Sequence, residues 1–240
     1  RAVDVAFGGQ GAPIVPIGEK LLFKEFQMFL NIGGIANISF NLADQYIAFD
    51  ICAANRVLNL IANLEGHEFD KGGQLAASGN IHFGLLHKLN SLDYYVLPFP
   101  KSLANTFGTD EVFPLVQSFN IAPVDALRTY VEHIVQQIIN SIKKAGALRN
   151  NSSVPITDKR LLVTGGGAFN SFLINRLAEA LKEINVALEL PSGDLIKYKE
   201  ALIMGFIGVL RWRQEYNVLS SVTGAERDSI GGAVWIGQEA

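Results

Sequence analysis

Apolar residues in the first third of the chain fall into short unbroken runs, the pattern of buried strands rather than of amphipathic helices. Phe26 to Ile32 (FQMFLNI) and Ile35 to Leu42 (IANISFNL) predict two strands joined through Gly33-Gly34, a hairpin signal. Tyr46 to Ile51 (YIAFDI) predicts a third, after the turn-like Ala43-Asp44-Gln45. Adjacent strands of this kind predict an antiparallel meander. A helix is expected next, from about Ala53 to Leu64, ending at Gly66.

The period then changes. Ile81 to Leu92 predicts a helix capped by Asn80, and Tyr94 to Thr109, broken by prolines and glycine, predicts a surface loop. From about Val124 to Ala145, Leu127, Tyr130, Val131, Ile134, Val135, Ile138, Ile139 and Ile142 recur at three- and four-residue steps. That is a core-packing helix, and Gly146 ends it. The last third alternates. Arg160 to Thr164 reads as strand, Asn170 to Glu183 as helix, Val186 to Leu190 as strand, and Tyr198 to Gln214 as a helix with an apolar face. This order predicts parallel pairing through right-handed crossovers. Ala233 to Ile236 reads equally as a short last strand or a helix end. The whole predicts an α/β fold with a ribonuclease-H-like unit, a mixed sheet flanked by helices, and no internal domain boundary.

Composition narrows the function. Half of the 240 residues are apolar (49%) and 18% are charged, the profile of a globular enzyme. A net charge of −3 with no basic cluster argues against nucleic acid or an anionic membrane as partner. The single cysteine, Cys52, excludes an internal disulfide and a cysteine-rich zinc site, and fits a reducing compartment. No apolar run approaches the roughly 18 residues that span a bilayer. The chain opens on Arg-Ala-Val-Asp, without a methionine or a secretory signal, which leads us to expect a piece of a longer protein.

Glycine-bearing segments hold the candidate chemistry: Phe7 to Pro16 (FGGQGAPIVP), Asn31 to Asn37 (NIGGIAN), Lys71 to Gly79 (KGGQLAASG) and Thr164 to Asn170 (TGGGAFN). Glycine lets successive backbone N–H groups converge on an anion, and a following helix adds its N-terminus; any one of these loops could equally be a tight turn. None is followed by Lys-Ser/Thr as in a P-loop, and none has dinucleotide G-x-G-x-x-G spacing. Asp4, just before the first loop, is either a general base beside a phosphate or a turn residue. Asp50, at the end of a strand, could hold Mg²⁺ through water or cap the next helix; Glu200 could bind a sugar hydroxyl or complement a helix dipole. His67, His82, His87 and His133 show no metal-ligand spacing, and neither Ser102 nor Ser221 has companions for a triad.

Taken in order, these motifs resemble the anhydro-N-acetylmuramic acid kinase family. Asp4 with Gly8-Gly9-Gln10-Gly11-Ala12-Pro13 is similar to its aspartate followed by GGQGAP. Leu30 to Asn37 resembles its second phosphate loop and Val163 to Asn170 its adenosine loop. Glu200-Ala201-Leu202 resembles a helix start, and Ser220 to Gly232 the SVTGA signature. The resemblance implies the larger, C-terminal lobe and part of the cleft of a two-lobed kinase of the actin/hexokinase type, without the N-terminal lobe. It implies Mg·ATP and a sugar as partners, a cytoplasmic setting in cell-wall recycling, and a homodimer. By position, Asp4 would be the base that activates water, and Gly9, Gln10 and Glu200 would face the sugar. Gly33, Gly34, Asn37, Asp50, Asn55, Gly165, Gly166, Gly167 and Asn170 would face the nucleotide, Asp50 also the metal.

The chain departs from the family pattern at Asp50-Ile51-Cys52-Ala53-Ala54-Asn55, where Asp-Thr-Gly-Pro-Gly-Asn is usual, and at Lys101 to Thr106, where an Arg-Glu pair is lost. Other readings therefore stand beside the first: a related amino-sugar kinase, or a non-catalytic module sensing sugar or nucleotide. Without its first lobe the segment is expected to be inactive.

Overall fold

The computed structural model describes residues 1–41, 46–98, 101–147, 159–235 and 237. In chain order the elements are α1 (Ala2–Ala6), α2 (Pro16–Leu22), β1 (Met28–Ile32), β2 (Ile35–Asn41), β3 (Tyr46–Ala53), α3 (Asn55–Asn63), α4 (Gln74–Ser78) and α5 (Phe83–Asn90). Then come α6 (Phe113–Ser118), α7 (Pro123–Ala147), β4 (Lys159–Thr164), α8 (Ser171–Lys182), β5 (Val186–Glu189), α9 (Gly193–Trp212) and α10 (Ser220–Thr223).

The strands make one sheet in the order β3-β2-β1-β4-β5. The meander β1-β2-β3 is antiparallel, while β4 joins β1 in parallel and β5 joins β4 in parallel, as the helix–strand alternation predicts. This mixed sheet with helices on both faces is the ribonuclease-H-like arrangement.

Alternation of side chains gives the two faces different partners. Leu30, Ile32, Ile38, Phe49, Leu161 and Val163 point into the larger core, which the predicted apolar side of α7 fills together with α3, α5 and α8. Leu127, Tyr130, Val131, Ile134 and Ile138 of α7 are fully buried there. Each such side chain contributes about 1.5–3 kcal/mol relative to an exposed one. The opposite face carries Phe29, Tyr46 and Leu162 and is covered more thinly, by Ile17 of α2, Leu210 of α9, and Phe26 and Leu219.

Some element boundaries differ from those read in the sequence, for local reasons. Asn80 does not cap α5, because its own N–H is held by Asp125 Oδ1 at 2.7 Å; His82 caps instead, its Nδ1 accepting from Leu85 N at 3.1 Å. β3 runs on to Ala53, so α3 starts at Asn55. The segment Tyr94 to Thr109 is more than a surface loop, since Tyr94, Tyr95 and Phe107 are buried in it; its Phe99 and Pro100 lie outside the described residues. So do Leu42, the turn at 43–45 and Ile236; Ala233 to Trp235 is neither helix nor strand. α9 begins at Gly193, where Ser192 Oγ accepts from Leu195 N, before the predicted Tyr198. Helices α1 and α2 are too short to leave a readable period.

Candidate functional site: a polar row, a glycine loop and an anchored aspartate

The strand registers align Thr164 of β4 with Asn31 of β1, Asn31 with Asn37 of β2, and Asn37 with Asp50 of β3. Four polar residues thus form a row across the sheet, at the end where β1 and β4 finish. By alternation they share the face of Phe29 and Leu162, the face that α2 and α9 cover. A bulge between Ala36 and Asn37 brings Asp50, rather than Ile51, opposite Asn37.

Chain leaving β4 turns at Gly165, whose φ is +85° and whose missing Cβ leaves room for Asn31 Oδ1 and the Ile32 carbonyl. A tight turn over Gly166–Phe169 follows, and Asn170 then caps α8 by accepting from Leu173 N at 3.0 Å. Asn55 lies against Gly166 and Gly167 and donates from Nδ2 to the Ile32 carbonyl at 3.0 Å, tying the start of α3 to β1. The hairpin Gly33-Gly34 sits on the same junction: Ala54 N donates to Gly34 O at 2.8 Å and Asn55 N to Gly33 O at 3.0 Å. So Gly33, Gly34, Asn55, Gly165, Gly166 and Gly167 come together, with Asn37 and Asp50 further along the row, while the Asn170 side chain lies against Gly73. The Ala54 and Asn55 amides, in the segment that departs from the family pattern, are spent on those carbonyls.

α9 forms the facing wall. A cavity of about 270 Å³ lies between Ile196, Lys197, Lys199 and Glu200 on one side and Gly165, Gly166 and Phe169 on the other, with Asn31 and Thr164 beneath. Thr164 Oγ1 is buried there with no hydrogen-bond partner among the described residues. Glu200 is therefore on the same cavity as the glycine loop, not apart from it. It lies within α9 rather than at its start, which removes the helix-dipole reading. Lys199, beside it, also lines the cavity, but its ammonium is engaged: Nζ donates to Glu19 Oε1 at 2.7 Å, while Glu19 Oε2 accepts from Ser39 Oγ at 2.5 Å and Tyr46 OH at 2.6 Å. Glu19 and Lys199 are both about 5% exposed or less. Burial and the Glu19 carboxylate push the Tyr46 phenol far above its ordinary range, so it stays a donor.

Asp4 is 2% exposed and sits in α1, enclosed by the loop that follows it. Oδ2 accepts from Gly11 N at 2.7 Å and Oδ1 from Thr223 Oγ1 at 2.7 Å. A Cβ on Gly9 would overlap the carboxylate. Gln10 N donates to Thr223 O at 2.9 Å and Glu226 N to Phe7 O at 2.9 Å, so the first and last motifs of the chain form one unit. A carboxylate has about four lone-pair sites, so two remain for a water.

Asp50 accepts from Leu103 N at 2.9 Å; burial raises its pKa, with that hydrogen bond working the other way. A cation beside it would favour its charged form. Among the described residues no group of three or more His, Cys, Asp or Glu side chains converges. One carboxylate suits Mg²⁺, which keeps several waters and takes its remaining ligands from substrate phosphates. Cys52 is fully buried and burial pushes its thiol pKa up, which makes it a packing residue. The sequence reading missed Asn31, Thr164, Lys199 and Thr223. The first two were marked only as the opening residues of glycine-bearing segments, Thr223 only as part of the SVTGA signature, and Lys199 by nothing local.

Fold and site together define a chain of the actin/hexokinase fold type. The family model for anhydro-N-acetylmuramic acid kinase matches residues 1–237, and the chain belongs to that family. It is 32% identical over 252 residues to the anhydro-N-acetylmuramic acid kinase of Haemophilus influenzae and 34% over 246 residues to that of Variovorax paradoxus. Each alignment covers 98% of this chain and 64% of the relative, so the chain spans just under two thirds of their length. Among solved structures, the activator of the 2-hydroxyisocaproyl-CoA dehydratase from Clostridium difficile with bound ADPNP is 17% identical, with a TM-score of 0.40; 75% of this chain and 58% of that one are covered. Among the described residues no helix is long and apolar enough to cross a membrane.

Proposed function

We propose that these residues are part of an ATP-dependent kinase that opens the 1,6-anhydro bond of anhydro-N-acetylmuramic acid with water and phosphorylates the released O6. The observation that carries this reading is the cavity whose walls are Gly165, Gly166 and Phe169 of the turn and the Glu200 segment, in a chain of this family. One wall offers backbone amides to phosphate, the other a carboxylate to sugar hydroxyls.

In this reading Asp4, held in orientation by Gly11 N–H and the Thr223 hydroxyl, takes a proton from water as the water oxygen bonds to C1. The C1–O6 bond breaks, O6 takes the γ-phosphoryl group of ATP, and ADP leaves; the proton on Asp4 passes to solvent. Mg²⁺, held by Asp50, would offset charge on the phosphates, since phosphoryl transfer is mostly positioning and charge stabilisation. A cytoplasmic setting and a homodimer go with this reading.

The test is ATP consumption by the complete protein with anhydro-N-acetylmuramic acid, N-acetylmuramic acid and N-acetylglucosamine. Turnover of the anhydrosugar, lost in Asp4→Asn, supports the proposal. Turnover of only a non-anhydro sugar replaces it with a related amino-sugar kinase. Binding without turnover points to a sensing module, a reading favoured by the spent amides of Ala54 and Asn55. The 240 residues alone are expected to show no turnover.

A further inference from the structure

Helix α9 is weakly held for the element that presents Glu200. Only Lys199, Ile203 and Leu210 of it are fully buried. Its N-terminal half is held by Ile196, which packs against the larger core, and by two neighbouring residues of α2: Gly18, which packs against the Ile203 side chain, and Glu19, which pairs with Lys199. Ile203 and Lys199 are one helical turn apart, so α2 holds a single face of α9. The apolar contact permits sliding and rotation. The ion pair does not, because Glu19 is itself fixed to the sheet by Ser39 and Tyr46. α2 in turn follows directly on the loop that encloses Asp4.

We propose that Lys199 is a positioning residue: its pairing with Glu19 fixes the rotation of α9 that turns Glu200 into the cavity, and fixes it relative to the Asp4 loop. The assignment of Glu200 to the sugar rests on the function proposed above; the positioning itself does not. Lys199 lines the cavity with its ammonium taken by Glu19, and its neighbour Glu200 offers its carboxylate. The pair therefore acts on how the sugar is held and leaves the nucleotide side, built on Gly165 to Asn170, alone.

The experiment uses the complete protein, as wild type, Lys199→Met, Lys199→Arg, Glu19→Gln and the double variant Lys199→Met/Glu19→Gln. Amide hydrogen exchange is measured over residues 196–203 and 165–170, and KM is measured for sugar and for ATP. Lys199→Met is expected to speed exchange in 196–203 at least tenfold while 165–170 changes less than threefold. It is also expected to raise the sugar KM at least tenfold with the ATP KM within threefold. Glu19→Gln should reproduce this, the double variant should add nothing further, and Lys199→Arg should recover part of it. Unchanged exchange over 196–203 overturns the positioning. A lowered melting temperature with both KM values unchanged shows the pair to be structural only, and parallel rises in both KM values overturn its selective action on the sugar. If Lys199→Met does not fold, Tyr46→Phe, which removes one hydroxyl from Glu19, should give the same split at about two- to fivefold, and no split overturns the proposal. A wild type without sugar turnover refutes the functional reading while the exchange result still decides the positioning.

Discussion

Thr223 Oγ1 donates to Asp4 Oδ1 at 2.7 Å, a contact between the first and last motifs of the chain, 219 positions apart. Both groups are buried, so the hydroxyl serves a charged acceptor away from water, where such a hydrogen bond contributes about 1.5–3 kcal/mol. Thr223→Val should therefore lower stability by about 2 kcal/mol in urea denaturation, and Thr223→Ser should restore most of it. In the complete protein Thr223→Val should also cut kcat about tenfold or more, because the carboxylate loses one of the two donors that orient it.

Gly165 tests the turn proposed to face the nucleotide. Its φ of +85° and the closeness of Asn31 and the Ile32 carbonyl leave no place for a side chain. Gly165→Ala should cost more than about 1 kcal/mol and weaken ATP binding, read by denaturation and by calorimetry. Gly205, in α9 with nothing near its missing Cβ, is the control: Gly205→Ala should stabilise by up to about 1 kcal/mol.

Much of this arrangement was legible before any coordinates. The meander follows from unbroken apolar runs buried on both faces, the α7 core stripe from its three- and four-residue period, and the parallel β4–β5 pair from the order of strands and helices. The polar row was not legible. Asn31 and Asn37 bracket one segment, but Asp50 and Thr164 lie far from it in sequence, and only the register of the sheet aligns the four. The same holds for Glu19 and Lys199, 180 positions apart: a buried ion pair leaves no periodic trace. The change at Ile51 to Ala54 is visible as lost glycines, whereas the hydrogen bonds of the Ala54 and Asn55 amides to the Gly34 and Gly33 carbonyls leave no trace in sequence.

His133 makes stability depend on pH. It is fully buried, with Nε2 3.0 Å from Tyr95 OH and Nδ1 2.7 Å from Asn90 Oδ1, and burial lowers its pKa to about 3. The unfolded chain protonates this imidazole near pH 6.5 and the folded chain does not, so between these values the unfolded state binds more protons. Stability from this group is complete above about pH 6.5 and falls as pH drops toward 3, by up to about 1.4 kcal/mol per unit. Urea midpoints at pH 7.5 and pH 5 should show the loss, and His133→Gln should flatten it.

The central claim, a kinase that uses water to open an anhydrosugar, is tested most directly by letting the complete protein act on anhydro-N-acetylmuramic acid and ATP in ¹⁸O-labelled water and weighing the products. The account predicts a sugar 6-phosphate with one heavy oxygen on C1 and none in its phosphate. Heavy oxygen in free phosphate without a sugar phosphate, or a sugar phosphate with no label on C1 when analysed before exchange, would contradict it.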